Sequence, residues 1–270
     1  MTFAFTPDVA EAVDSEWGVS GTSAERLTGG EESAAYRVGT VVVRIGPVTR
    51  GTAVMEWCHQ VADSVRLAEV VAPLRTSAGA SVVRVGGRPV SVWPLVQGRW
   101  LDAGNPAEAE QAARLLARVH RGLRDVVMPA RPERSFLELA GGSGELDRWL
   151  AGFTRRKQPL HGDYYRGNLL VDDGRIAGLI DWDEAWVGAP EVELAGAARE
   201  FGNHWSTDLG RAKEFVAWYH DEGGTAGAMD DETLVQLIRH RLRAELTAFG
   251  GDGTDEYYDR VRELFVKLRP

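Results

Sequence analysis

The sequence predicts an α+β protein with two unequal lobes, and two observations carry this prediction. The first hundred residues are rich in β-branched runs, whereas most of the remaining chain has helical periodicity. A single apolar hairpin pattern, at 161–185, interrupts the helical part. A chain of 270 residues is long enough for two small lobes that share a cleft. We therefore expect an N-terminal lobe at 1–97, a C-terminal lobe at 98–270 and a hinge at 94–98.

The elements of the first lobe follow from its β-branched runs. Segments 33–39 and 40–46 predict two strands joined by a short glycine turn. A helix is expected over 51–65, and 81–96 predicts a hairpin. The pair Gly86-Gly87 supplies the positive φ that its tight turn requires. Strands around one helix indicate a small, mainly antiparallel β lobe.

The second lobe begins with a well-marked helix. Asn105 is a favourable N-cap, Pro106 suits the first helical position, and Glu108 follows three residues after the cap. Apolar residues then recur at helical spacing. Further helices are predicted at 191–203, 207–221, 230–249 and 254–268.

Charge is distributed unevenly along the chain. The net charge of −9 argues against nucleic acid as a partner, because nucleic acid favours a basic surface. Residues 1–162 hold 19 Lys and Arg against 18 Asp and Glu, whereas 163–270 hold 12 against 22. An acidic half beside a cleft attracts a cationic small molecule. The alternative is a solvated acidic surface that only aids solubility.

Membrane and secretory roles are not expected. The sequence has no apolar run of the length a membrane helix needs, and its N-terminus lacks a basic region typical of a signal peptide. The single cysteine, Cys58, excludes an internal disulfide and a multi-cysteine zinc site. We expect a cytoplasmic protein that is a monomer or a weak homodimer.

The hairpin at 161–185 concentrates the polar residues that are hardest to explain by packing. Asn168 precedes its first strand, Asp181 ends its second, and the turn between them is Asp173-Gly174. Because a hairpin brings its two ends together, Asn168 and Asp181 are expected side by side. Carboxylate and amide oxygens suit a hard cation such as Mg²⁺. Asp163, on the loop that leads in, is expected to face the same point.

Phosphoryl transfer needs this combination of a metal site and a carboxylate that orients a hydroxyl. The segment HGDYYRGN fits His-x-Asp-x-x-x-x-Asn, and IDWDEA follows downstream. With both motifs, the chain resembles the aminoglycoside phosphotransferase and choline kinase-like family of small-molecule kinases. The resemblance implies a two-lobed protein-kinase-like fold and the cofactors ATP and Mg²⁺.

The resemblance also implies roles for residues of the hairpin region. Asp163 looks like the catalytic base, and Asn168 and Asp181 look like the metal ligands. His161 looks like a residue that braces the catalytic loop. Asp183 is a weaker candidate for contact with a second metal or the acceptor.

The nucleotide site implied by the resemblance lies mostly in the first lobe. LTGGEESAAYRV (27–38) resembles the nucleotide-covering hairpin, where Gly29 and Gly30 admit the phosphates and Ser33 adds a hydroxyl. The family has a basic residue on the third strand. Arg44 occupies that position, and lysine does not occur before Lys157. Arginine keeps the charge but has a different geometry.

Three further expectations rest on the same resemblance. Glu56 looks like the helix acid that pairs with the basic strand residue. The segment 93–98 resembles the hinge that meets adenine, with backbone groups of Leu95 and Val96 at the base edge. Glu193, in APEVELA, stands where the family often has Asp and is expected to buttress the catalytic loop.

The acceptor is left open by the sequence. The acidic second lobe favours a cationic molecule such as an aminoglycoside, in a resistance role. A metabolic amino alcohol or sugar, such as homoserine, choline or an amino sugar, is the close alternative. A nucleotide-binding module without transfer activity is a third. Patterns for a P-loop kinase, a G-x-S-x-G hydrolase and an H-E-x-x-H metalloprotease are absent from the sequence.

Overall fold

The computed structural model describes residues 3–21, 23–28, 33–139, 142, 144–203, 205–250 and 255–269. Within these ranges the chain forms a β-rich N-terminal part and a helical C-terminal part. This is the α+β architecture that the sequence predicts.

The N-terminal part is an antiparallel sheet of five strands in the order β1-β2-β3-β5-β4. Helix α1 packs on one face of the sheet, where Val9 and Val13 join a cluster with the buried residues of the strands. In β3, Val43 and Ile45 point into this cluster, so Arg44 between them points to the opposite face. The elements are α1 (Pro7–Trp17), β1 (Glu25–Arg26), β2 (Ala34–Val38), β3 (Val41–Ile45), α2 (Thr52–Asp63), β4 (Val83–Val85) and β5 (Arg88–Pro94).

Helix α2 packs away from that cluster. Its buried residues Trp57, Cys58 and Val61 belong to a second, larger hydrophobic cluster, which also contains the core of the helical part. The larger cluster therefore crosses the predicted boundary at residue 97. The division of the chain into 1–97 and 98–270 stays a prediction.

The segment that connects the N-terminal and C-terminal parts passes very close to the backbone of β8 (Leu169–Asp172). β5 ends at Pro94, and the chain passes Gly98 before pairing with the next sheet. Gly98 has φ of 146°, and a Cβ at this position would lie 2.8 Å from the carbonyl oxygen of Val171. Only glycine allows this approach of two backbones.

The C-terminal part is built around α3, whose N-cap is formed as predicted. The Asn105 side chain accepts a hydrogen bond from the backbone N–H of Ala107 at 3.1 Å, and Pro106 occupies the first turn. The helices are α3 (Pro106–Leu123), α4 (Phe136–Leu139), α5 (Glu145–Gly152), α6 (Pro190–Phe201), α7 (Gly210–Asp221), α8 (Asp231–Phe249) and α9 (Glu256–Lys267).

Two small sheets lie between this helical bundle and the N-terminal part. One has the order β6-β8-β9, and the other pairs β10 with β7. No helix within the described ranges combines the length and the apolar character needed to cross a membrane. The strands are β6 (Arg99–Trp100), β7 (Gln158–Leu160), β8 (Leu169–Asp172), β9 (Arg175–Leu179) and β10 (Trp186–Gly188).

Candidate active site

The β8–β9 hairpin forms where the sequence predicts it and joins the two expected ligand positions. Asp173 and Gly174 have φ of 46° and 73°, the positive values of a two-residue hairpin turn. At the open end, the backbone N–H of Ile180 donates to the carbonyl of Asn168 at 3.0 Å. Asn168 and Asp181 are thereby neighbours across the hairpin.

Asp163 lies beside Asn168 on the loop that precedes the hairpin. The Asn168 side-chain amide donates to the Asp163 carbonyl at 2.8 Å and to Asp163 Oδ2 at 3.1 Å. These bonds fix the loop between the two residues, so the carboxylate is held at the end of the hairpin where Asp181 also lies. The three predicted residues therefore converge.

His161 links this loop to the end of β9. Its Nδ1 accepts the backbone N–H of Asp163 at 3.2 Å, and its Nε2 donates to the carbonyl of Ile180 at 3.0 Å. The ring also packs against Trp182, with ring centroids 4.6 Å apart. These contacts fit the bracing role expected for His161, which stays a prediction.

Glu193 supports the same loop from α6. Its carboxylate accepts the backbone N–H groups of His161 and Gly162. It also accepts His120 Nε2 at 2.7 Å, and the other nitrogen of His120 contacts the Tyr219 hydroxyl at 2.8 Å. Burial raises the pKa of Glu193, but these hydrogen bonds outweigh it and hold that pKa below its usual value. The network ties the loop that carries His161, Gly162 and Asp163 to α3 and α7.

Arg44 reaches from β3 to the end of the hairpin. Its guanidinium donates to Asp181 Oδ1 at 3.2 Å, to Asp183 Oδ2 at 2.9 Å and to the Ser33 hydroxyl at 3.3 Å. Burial lowers the pKa of Arg44, but the two carboxylates outweigh burial and raise it. Ser33 thus contacts Arg44, whereas Gly29 and Gly30 of the predicted phosphate loop lie outside the described residues.

The expected pair between Arg44 and Glu56 is wrong. Glu56 accepts the backbone N–H groups of Ser81 and Val82 at 2.7 and 2.9 Å, and it pairs with Arg75 at 3.0 Å. These bonds anchor the segment before β4 to α2, so the Glu56 carboxylate is already saturated. Burial raises the pKa of Glu56, but the hydrogen bonds lower it overall.

Asp183, and not Glu56, is the carboxylate that pairs with Arg44. Its Oδ2 accepts both Arg44 and Arg50, and its side chain is nearly buried. Burial raises the pKa of Asp183, yet the two guanidinium groups outweigh burial and hold that pKa below its usual value. Asp183 thus anchors two arginines through Oδ2, and its contact with a second metal or the acceptor stays a prediction.

The hinge residues are expected to meet adenine through backbone groups around Leu95 and Val96, and this stays a prediction. The backbone N–H of Leu95 donates to the carbonyl of Thr40 at 3.0 Å, so this one group is engaged within the protein. Val96 packs against the large hydrophobic cluster, next to Gly178.

Sequence reasoning missed two arginines of the site. Arg241 on α8 donates to Asp163 Oδ1 at 2.8 Å, although the two residues are 78 positions apart. Arg50 binds Asp183 and lies 3.8 Å from Glu184. The dense basic run 239–243 in an otherwise acidic half of the chain is the one signal that pointed to α8.

The residues at the hairpin end fit a divalent cation. The amide nitrogen of Asn168 is engaged by Asp163, which leaves its oxygen as the donor atom, and Asp181 supplies a carboxylate. Burial raises the pKa of Asp181, the charge of Arg44 opposes this, and the carboxylates of Asp183 and Asp163 add to it. A divalent cation would add positive charge beside Asp181 and Asn168, and Mg²⁺ prefers such oxygen ligands.

Comparison with known proteins identifies the class to which this fold and site belong. The profile of the phosphotransferase enzyme family matches residues 23–157 and 143–230. These segments contain the basic strand, the catalytic loop and the hairpin. The chain belongs to this family.

Relatives with known activities match shorter parts of the chain. Homoserine kinase of Pseudomonas aeruginosa is 27% identical over 170 residues, which cover 54% of this chain and 53% of that protein. Hygromycin-B 4-O-kinase of Escherichia coli is 37% identical over 51 residues, or 19% of this chain and 15% of that protein. The chain spans about half the length of the homoserine kinases it matches.

Solved structures match almost the whole chain. Amicoumacin kinase, in complex with AMP-PNP and Ca²⁺, superposes with a TM-score of 0.75 at 14% identity, covering 98% of this chain and 94% of that one. Spectinomycin phosphotransferase, in complex with ADP and spectinomycin, gives 0.65 at 13% identity, covering 100% and 96%. The fold is therefore that of the kinase-like small-molecule phosphotransferases.

Proposed function

We propose that the protein transfers the γ-phosphoryl group of ATP, with Mg²⁺, to a hydroxyl group of a small molecule. The observation that carries this proposal is the convergence of Asp163, Asn168 and Asp181 at one end of the β8–β9 hairpin. A metal site beside a carboxylate is the requirement of phosphoryl transfer, and membership of the phosphotransferase family agrees with it.

Each residue of the site has a part in this proposal. Asp163 orients the acceptor hydroxyl towards the γ-phosphate, and Asn168 and Asp181 hold the metal. Bound Mg²⁺ supplies neutralisation of the phosphate charge. Arg44, on the strand that faces the cleft, supplies a permanent positive charge for the phosphates. The nucleotide then lies between lobes 1–97 and 98–270.

The proposed binding of MgATP requires that Arg44 is released from Asp181. In the structure, Arg44 neutralises the carboxylate that the metal needs. With MgATP bound, Asp181 would hold the metal, and Arg44 would contact the phosphates in place of Asp181. Asp183 keeps Arg44 oriented while this exchange occurs.

A cationic acceptor is the first candidate for the substrate. The C-terminal part carries the acidic excess of the chain, and Glu184 lies near Asp163. Burial raises the pKa of Glu184 to about 7, against the opposing charges of Arg50 and Arg131, and a bound amine would stabilise its ionised form. The matched segment of hygromycin-B 4-O-kinase supports an aminoglycoside, in a resistance role.

An amino alcohol is the second candidate. The matches to homoserine kinases cover 54–55% of the chain, a longer stretch than the match to the hygromycin kinase. Such an acceptor also carries an ammonium group, so the acidic surroundings of Asp163 suit it equally. A nucleotide-binding module without transfer is the alternative outcome of the test below.

The test is acceptor-stimulated release of ADP. Purified protein and MgATP are assayed with hygromycin B, spectinomycin, L-homoserine or choline in separate reactions, each repeated with excess EDTA. We expect metal-dependent ADP release with one chemical class of acceptor. MgATP binding by calorimetry without ADP release in any reaction would favour the nucleotide-binding module instead.

A further inference from the structure

Arg241 contacts the catalytic loop at two adjacent residues. Its Nη1 donates to the carbonyl oxygen of Gly162 at 2.8 Å, and its Nη2 donates to Asp163 Oδ1 at 2.8 Å. Its Nε donates to Glu245, one turn further along α8, at 2.7 Å. The three edges of one planar guanidinium are therefore engaged at once, a geometry that arginine provides and lysine does not.

The Asp163 carboxylate is consequently held from both sides. Oδ1 is bound by Arg241 and Oδ2 by Asn168 at 3.1 Å, so rotation of the carboxylate is blocked. An ionised carboxylate has about four lone-pair positions, so each oxygen keeps one for a hydroxyl. The backbone of the loop is equally fixed, because Gly162 has φ of 86° and a Cβ there would overlap the Glu184 carbonyl.

Arg241 also balances charge at the site. Asp163 and Asp181 lie at the end of the hairpin where the proposed function places the triphosphate, and further negative charge there opposes binding and reaction. The side chain of Arg241 is only 16% exposed, and its guanidinium lies over the ring of Phe136 at 4.9 Å from the centroid. Its charge is thus shielded from water and acts at short range.

We propose that Arg241 is a positioning residue for the transfer reaction, which holds the Asp163 carboxylate in the orientation that meets the acceptor hydroxyl. This inference rests on the proposed function of the site. Arg241 acts through Asp163 and the carbonyl of Gly162, and its place on α8 makes the helical lobe part of the catalytic geometry.

The test compares Arg241→Gln and Arg241→Lys with the wild-type protein, using the acceptor from the panel above that gives the largest ADP release. A misplacement of about 1 Å in a reacting group costs about 100-fold in rate. We expect kcat of Arg241→Gln to fall by about this factor, while the KM for MgATP and its calorimetric Kd stay at the wild-type values. Arg241→Lys is expected to lie between, because an ammonium reaches Asp163 without holding Gly162 and Glu245.

Arg243→Gln is the matched control. Arg243 lies on the same helix, is also 16% exposed and pairs with Asp147 at 2.7 Å, away from the catalytic loop. Its substitution removes an equally shielded ion pair and should leave kcat unchanged.

Two results would overturn the inference separately. If the wild-type protein releases ADP and folded Arg241→Gln retains its kcat, Arg241 is structural and the proposed function stands. If the wild-type protein releases no ADP with any acceptor, the proposed function fails and this inference fails with it.

Discussion

The two arginines at the predicted catalytic carboxylates differ in how firmly they are held. Arg44 crosses the cleft to Asp181 at 3.2 Å, and the Asp181 side chain is 40% exposed. Arg241 binds Asp163 at 2.8 Å within the helical lobe and is also fixed by Gly162 and Glu245. The first contact lies where metal and phosphates are proposed to bind, whereas the second is built into one lobe. Under the proposed function, the first ion pair is therefore exchangeable and the second permanent.

The largest effect is expected from removing the carboxylate of the permanent pair. Asp163→Asn keeps the shape of the side chain but loses its negative charge and its ability to accept a proton. General base groups contribute about 10²–10⁴-fold, so kcat should fall by roughly 10³-fold. MgATP affinity should change little, which calorimetry would establish.

A matched substitution makes this result interpretable. Asp173→Asn makes the same chemical change in the exposed hairpin turn, where Asn also tolerates positive φ. It should behave as the wild-type protein. Full activity in Asp163→Asn would remove Asp163 from the mechanism and leave its pairing with Arg241 as a structural contact.

The exchangeable arginine is tested by Arg44→Met against Arg44→Lys. Loss of a hydrogen-bonded charge costs about 1.5–3 kcal/mol, so Arg44→Met should weaken MgATP binding by roughly 10- to 100-fold. Arg44→Lys keeps the charge and should bind MgATP more tightly than Arg44→Met. Equal affinities in the two variants would mean that the charge of Arg44 does not serve the phosphates. Calorimetric titration with MgATP measures both.

Glu193 also holds the loop that carries Asp163, and its ionisation predicts that the stability of the folded protein depends on pH. Removing one partner from a buried hydrogen bond costs about 1–3 kcal/mol, so Glu193→Gln should lower the free energy of unfolding by about 2 kcal/mol at pH 7. The pKa of Glu193 is lowered in the folded state, so its contribution is complete above the unfolded-state pKa. It is lost as pH falls through the lowered folded-state value.

Urea unfolding of wild-type protein and Glu193→Gln across pH 3 to 7 checks this expectation. The difference between the two curves should be full near neutrality and shrink at the acidic end. A difference that stays constant with pH would show that the charge of Glu193 is not what stabilises the loop.

The smallest effect on nucleotide binding is expected for Glu56→Gln. In protein kinases the helix glutamate orients the basic strand residue, whereas here Asp183 contacts Arg44 and Glu56 contacts Ser81 and Val82. The KM for MgATP should therefore be unchanged in Glu56→Gln and raised in Asp183→Asn. A raised KM for MgATP in Glu56→Gln alone would mean that Glu56 orients Arg44, as the helix glutamate does in protein kinases. Steady-state kinetics of the two variants decides between them.

The sequence was sufficient for contacts that are local or that repeat a motif. The turn at Asp173-Gly174 fixes the register of the hairpin, and the hairpin places Asn168 beside Asp181. This part of the site could therefore be predicted from residues that are close in the chain. The N-cap of α3 at Asn105 is local in the same way. The fold class followed from such local patterns together with the family resemblance.

Contacts between distant elements were not predictable in this way. The partners of Arg44, Asp181 and Asp183, lie 137 and 139 residues away in the chain. Glu56 could pair with Arg44 or with the segment before β4, and only the path of that segment in the fold decides between them. Arg241 is one of several arginines on α8, and only the packing of that helix selects it for Asp163. Periodicity predicts that a helix has a buried face, but not which loop the face meets.

The packing of α2 bears on how activity is controlled. Trp57, Cys58 and Val61 lie in the same hydrophobic cluster as the helical lobe, and swinging α2 outwards would expose them to water. Exposing one large apolar side chain costs about 1.5–3 kcal/mol. The outward swing of the corresponding helix, by which protein kinases are held inactive, is therefore strongly opposed here. For the proposed transfer reaction, α2 is therefore a fixed part of the fold and offers no helix swing as a switch.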